Sequence, residues 1–192
     1  MSNLWQFITD FGDASVTLPI ATFVLIYLLW NKRWQVAFAW GLAVTGCGVS
    51  LVLIKLALRS CAQNWANSQF VSASGHAAMS ATIYGGFILL FGAARRPSLV
   101  ALVFAMVAAI ALSRVILGVH RPLEVVAGLA IGTAAILLLD QARGSDRRPS
   151  PMLFPFGGVL AVAVLMHGDH WPIEDYLVQL AGLIRHAVPA CS

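Results

Sequence analysis

Six long apolar runs constrain this chain more than any other feature. They fall at about 15–30, 34–57, 75–92, 98–118, 122–140 and 152–167, each near the ~20 residues a helix needs to cross a hydrocarbon core. Inside lipid no water reaches the backbone, so a spanning segment must be a helix or a strand of a closed barrel. The runs lack the period-two alternation of barrel strands, and helices are the remaining solution. Composition agrees, with 59% hydrophobic and only 10% charged residues, against about a quarter charged in a soluble domain. The expected fold is all-α: a polytopic membrane helix bundle of about six transmembrane helices, one domain over 1–192, with 168–192 as an external tail. Glycine and alanine run through "WGLAVTGCG" and "VVAGLAIGTA", as close helix–helix packing in lipid requires.

Polar breaks separate the runs: "NKRW" at 31–34, "RSCAQNWANSQFVSAS" at 59–74, "AARRP" at 93–97, "GVHRP" at 118–122 and "QARGSDRRPSP" at 141–151. Lys32, Arg33, Arg95, Arg96, Arg143, Arg147 and Arg148 share one set of loops, while Lys55, Arg59, Arg114, Arg121 and Arg185 fall on the other side. The first set crowds short loops, where the positive-inside rule has most force. Both termini and the 59–74 and 118–122 loops are therefore expected outside the cytoplasm. The opening "MSNLWQFITDFGD" has neither the basic region nor the cleavage site of a signal peptide, so insertion by the first spanning helices is expected. A net charge of +4 is too small to argue for nucleic acid, and basic cytoplasmic loops account for it.

Chemistry-bearing residues gather at run edges on that outer side. Ser74, Gly75 and His76 open the third run, Arg114 closes the fourth, and His120 stands just before the fifth. Lys55 and Arg59, four apart, share one face at the end of the second. Such a set suits phosphate. Arginine forks and lysine clamp phosphoryl oxygens, helix N-termini at Ser74 and Pro122 offer N–H groups and positive dipole ends, and Gly75 permits close backbone approach. One histidine can serve as nucleophile and the other as general acid. Glu124, one turn past His120, can hold the far ring nitrogen and set the tautomer.

These residues resemble the type-2 phosphatidic acid phosphatase superfamily, the membrane lipid phosphate phosphatases related to vanadium haloperoxidases. That family carries three motifs: Lys, six residues, Arg-Pro; Pro-Ser-Gly-His; and Ser-Arg, five residues, His, three residues, Asp. Here the third reads Ser113-Arg114, "VILGV", His120, "RPL", Glu124, with only the carboxylate changed, and the second reads Ala73-Ser74-Gly75-His76. Of the first, Lys55 is present but Ala62 and Gln63 hold the Arg-Pro positions, with Arg59 or Arg121 as the replacement cation. The resemblance covers about 55–128. It implies that His120 attacks phosphorus to give a phosphohistidine, that His76 protonates the leaving group, and that Glu124 orients His120. It further implies that Lys55, Ser74, Gly75 and Arg114 bind phosphoryl oxygens, and that no metal or other cofactor is needed.

"MHGDHW" offers His167, Asp169 and His170 as candidate metal ligands, but the spacing fits no closed zinc pattern, and an interfacial loop with Trp171 in the aromatic belt is the expectation. "PIEDYLVQLAGLIRHAV" at 172–188 has an apolar face at helical spacing, suited to the outer leaflet or to the site mouth. Cys47 is expected to pack as a small apolar residue. Cys61 and Cys191 share the outer side and are expected to pair in an oxidising periplasm. The function expected is hydrolysis of a lipid phosphate or diphosphate at the outer face of a bacterial inner membrane. Undecaprenyl diphosphate is the favoured substrate, with phosphatidylglycerol phosphate, phosphatidic acid and lipid A as competitors. A lipid phosphotransferase would carry the same motifs. The altered first motif and the Asp-to-Glu change also suit a non-catalytic anion- or lipid-binding membrane protein, although the chain lacks the internal symmetry common in transporters.

Overall fold

The computed structural model describes residues 2–61, 72–91, 96–144 and 153–187. Eight helices account for most of them: α1 (Ser2–Asp10), α2 (Ala14–Trp30), α3 (Trp34–Cys61), α4 (Gly75–Leu90), α5 (Pro97–Ile116), α6 (Pro122–Ala142), α7 (Leu153–Leu165) and α8 (Ile173–Ala187). The chain is an all-α membrane bundle. Four stretches, Asn3–Trp30, Trp34–Ser60, Pro97–Ile116 and Pro122–Ala142, are long and apolar enough to span, and Gly75–Leu90 and Phe154–Leu165 are shorter apolar helices. The six expected runs thus reappear with ends shifted by a few residues. Helix α1 continues the first apolar stretch beyond its expected start. The expected Cys61–Cys191 pairing, most of the 59–74 loop and the loop residues Arg95, Arg147 and Arg148 lie outside the described residues.

Helix α4 occupies the centre, packed by α2, α3, α5 and α6. Around it α7 leans on α2, α1 on α5 and α8 on α3. The surface inverts the soluble pattern: Phe38, Leu53, Phe104, Leu137 and Val164 point outward, while Lys55, Ser74, Ser80, Ser113 and Glu124 are buried. Lipid is the solvent that tolerates this, since outward apolar groups cost nothing there, and Lys55, Ser113 and Glu124 find partners inside. Trp40 fixes α3 to α2 by donating from Nε1 to the Ala21 carbonyl at 2.9 Å. Cys47 is buried in the same core.

Two glycines set the spacing between α6 and α4. A Cβ at Gly128 would sit 2.4 Å from the Ser74 carbonyl oxygen, and one at Gly132 would sit 2.5 Å from that of Ala78. The close approach lets the Ser74 N–H donate to the Glu124 carbonyl at 3.0 Å, which binds the N-terminus of α4 to that of α6. Within α4, residues Ala81–Gly85 form a π-helical turn. There the Tyr84 hydroxyl donates to the Phe11 carbonyl at 2.6 Å, clamping the α1–α2 turn onto the central helix.

Overpacking a tight contact typically costs about 1–3 kcal/mol, or several degrees of melting temperature in a chain this size. Gly132→Val is expected to lower the melting temperature of detergent-purified protein by that amount. Gly41→Ala, where an added Cβ meets nothing within 4 Å, is expected to leave it unchanged.

Candidate active site

Helices α3 and α5 end where α4 and α6 begin, so their polar termini converge at one end of the bundle. A cavity of about 730 Å³ opens there, lined among others by Lys55, Arg59, Gly75, His76, Arg114, His120, Arg121, Glu124 and Glu174. Eight of the nine residues expected to act on a phosphate are thereby brought together. Ser74 is the exception: it is fully buried at the N-cap of α4, is not among the lining residues, and its Oγ has no hydrogen-bond partner among the described residues.

The best-defined contact is between His120 and Glu124, with Nδ1 2.9 Å from Oε2. Oε2 also accepts the Arg121 N–H at 3.1 Å, and Oε1 accepts the Ser72 N–H at 3.1 Å. Arg121 is the N-cap of α6, Pro122 fills the first helical position and Glu124 the third, so the carboxylate closes the helix start as a capping-box acid does. Since both oxygens already face N–H donors, the imidazole must donate from Nδ1. Its Nε2 lone pair is left free. Burial lowers the His120 imidazole from its ordinary value. The Glu124 hydrogen bond works against that, while the Arg114 and Lys55 charges reinforce it.

Arg114, in the last turn of α5, donates from Nη1 to Thr9 Oγ1 at 2.9 Å, while its Nε is buried without a partner among the described residues. Ser113, beside it, is buried and donates to the Ile110 carbonyl at 2.6 Å, a packing role. His76 Nε2 lies 3.5 Å from Asp13 Oδ2.

Helix α8 supplies a group that the sequence motifs do not include. Glu174 reaches the cavity and bridges two cations, Lys55 Nζ at 2.5 Å and Arg59 Nη2. Burial alone would raise its carboxyl, but the hydrogen bonds and charges of Lys55 and Arg59 outweigh that and hold it below its ordinary range. Glu174 opens the amphipathic segment beginning at 172, and that position was the available signal. Thr9 and Asp13 bracket "DFG" in a segment outside the three motifs.

The triplet His167, Asp169 and His170 disperses. His167 Nε2 approaches the Phe7 carbonyl at 3.0 Å, His170 Nε2 lies 3.2 Å from Asp10 Oδ1, and the Asp169 carbonyl accepts from Ser15 Oγ. Together they tie the α7–α8 connection to the N-terminal helices.

The described residues thus form a polytopic helix bundle whose cavity holds two histidines, each near a carboxylate, among lysine and arginine. The PAP2 superfamily profile matches residues 54–148. An uncharacterized 22.5 kDa protein in cps region of Klebsiella pneumoniae is 31% identical over 189 residues, covering 92% of this chain and 90% of the relative. The chain belongs to the PAP2 superfamily, a phosphatase family of the lipid phosphate type. No solved structure matches it significantly.

The Glu124 contacts yield a sharp expectation. In Glu124→Gln one oxygen becomes an NH₂ donor, and in either amide orientation it must face an N–H. A buried donor left without an acceptor costs about 1–3 kcal/mol, so a melting temperature lower by several degrees is expected. Imidazole ¹⁵N shifts of His120 should also lose the pure Nδ1–H pattern.

Proposed function

We propose that this protein hydrolyses a lipid phosphate or diphosphate through a phosphohistidine on His120, at the outer face of a bacterial inner membrane. The observation that carries this reading is the His120–Glu124 pair at 2.9 Å, which leaves Nε2 as a free nucleophile in a cationic cavity. Lys55, Arg59, Arg114 and Arg121 would clamp the phosphoryl oxygens. The start of α4, at Ser74 and Gly75, adds its dipole and first-turn N–H groups.

In the first step the Nε2 lone pair forms a bond to phosphorus. The bond to the leaving oxygen breaks, its electron pair going to that oxygen, which takes a proton from the His76 imidazolium. In the second step a water oxygen attacks phosphorus while neutral His76 takes its proton. The P–N bond returns its electron pair to His120, and orthophosphate leaves. Arginine and lysine carry out the charge stabilisation, so no metal is required. The lipid tail would lie in the bilayer or between helices, with α8 beside the head group, where it packs on α3. Undecaprenyl diphosphate is the favoured substrate. Its two phosphates suit a site whose cations come from α3, α5 and the start of α6.

Phosphate release from undecaprenyl diphosphate, phosphatidylglycerol phosphate, phosphatidic acid and lipid A in the presence of EDTA tests this reading. Wild type is expected to release phosphate, and His120→Ala to lose at least ~10³-fold, in the range seen when a covalent nucleophile is removed. Release abolished by EDTA would overturn the metal-free mechanism. Phosphate binding without release, or transfer to a second lipid, would replace hydrolysis with a binding or phosphotransferase role.

The His120 shift has a signed consequence. An imidazole lowered in the fold stays neutral as pH falls through about 6.5, so the acid limb of kcat/KM from the nucleophile should lie below that value. Over the same interval the unfolded chain binds the proton first, so this group's contribution to stability is lost as pH falls.

Glu174 must yield Lys55 and Arg59 before an anion can use them. Glu174→Gln is therefore expected to tighten binding of inorganic phosphate about tenfold, equivalent to ~1.4 kcal/mol, measured by calorimetry in detergent.

A further inference from the structure

The turn between α1 and α2 lies outside the matched family region at 54–148, yet it presses on the site. Gly12 sits so close to the central bundle that a Cβ would come 2.6 Å from Ile110, 2.9 Å from Ser80 and 3.2 Å from His76. The turn is closed by the Gly12 N–H on the Thr9 carbonyl at 2.8 Å and the Asp13 N–H on the Asp10 carbonyl at 3.0 Å. With Phe11 held by Tyr84, the residue two places further on is fixed relative to α4.

That residue is Asp13, which is buried and forms the N-cap of α2. Its Oδ1 accepts the Ser15 N–H at 2.9 Å. Its backbone carbonyl accepts the Thr17 hydroxyl at 2.8 Å. Its Oδ2 is then aimed at His76 Nε2, 3.5 Å away. The other ionisable groups that share the cavity with His76 include Lys55, Arg59, Arg114, Arg121 and His120, together with the carboxylates Glu124 and Glu174. Glu124 is committed to His120, and Glu174 to Lys55 and Arg59. Among the described residues Asp13 is the carboxylate turned to His76; with Asp10 it also faces the Arg114 charge.

We propose that Asp13 is a positioning residue for proton donation: it holds the His76 imidazolium, by charge and through Nε2–H, so that the other ring nitrogen delivers a proton to the leaving oxygen. The proposal rests on the reading of His76 as the general acid. An imidazolium among arginines and lysine is repelled by them, and a carboxylate at this distance offsets the repulsion. The 3.5 Å separation is an ion-pair distance that can shorten to a hydrogen bond once the anionic substrate is in place, as catalytic contacts in empty sites commonly do. The two histidines then carry carboxylates with different tasks. Glu124 orients His120 with its Nε2 lone pair toward the cavity, and Asp13 faces the proton donor His76.

The test uses the full chain and separates charge from capping. Asparagine caps a helix about as well as aspartate, so Asp13→Asn keeps the fold and removes the charge. kcat/KM is measured on an alkyl monoester, phosphatidic acid, which needs a protonated leaving group, and on p-nitrophenyl phosphate, whose leaving group departs without one. The expected result is a loss on the order of 10–100-fold on the alkyl ester, a loss within about threefold on the aryl ester, and an unchanged melting temperature. Equal losses on both esters, or no loss on either, would overturn the proposal. His76→Ala run in parallel tells the two readings apart. If it shows the same leaving-group dependence and Asp13→Asn does not, only the role of Asp13 falls. If His76→Ala lacks that dependence, the general-acid reading falls and takes the proposal with it.

Discussion

One buried carboxylate organises the site. Glu124 accepts from the Ser72 and Arg121 backbones and from His120, and its own carbonyl accepts the Ser74 N–H. A charged group in such a place is tolerable only when each lone pair is matched. The matching partners come from the approach to α4, the start of α6 and the loop that joins α5 to α6. The geometry of the nucleophile and of the neighbouring helix entrances is therefore a single arrangement. Glycines 128 and 132, which remove any side chain between α6 and α4, make that arrangement reachable.

In the superfamily motif the third-motif carboxylate is an aspartate; here Glu124 closes its own helix at Arg121, reaches back to Ser72 and holds His120.

The bundle was legible because lipid enforces it: six apolar runs and short polar breaks admit few other structures. The His120–Glu124 pair was legible for a related reason, as helix periodicity places residues four apart on one face. Ser74 is expected to bind phosphoryl oxygens; its Oγ is buried at the start of α4, because a motif fixes order along the chain and leaves open the rotation of a residue at a helix start. Glu174 and Asp13 were out of reach. Their contacts join residues 119 and 63 positions apart, as between Lys55 and Glu174 or Asp13 and His76, and depend on α8 folding back on α3 and on the α1–α2 turn lodging against α4. Neither contact is encoded in a local pattern, although the amphipathic segment at 172–188 marks the helix that carries Glu174.

The distance along the chain from Lys55 and Arg59 to Glu174 has a consequence in time. The counter-charge is made 119 residues after the lysine and 115 after the arginine. At a synthesis rate of about 5–20 residues per second, that is roughly 6–24 seconds in which α3 is inserted and its two cations stand without that carboxylate. Through that interval they must remain near the water or among lipid head-group phosphates. The last described helix thus closes the electrostatics of the second spanning segment, and the nascent site is most strongly cationic just before that helix is made.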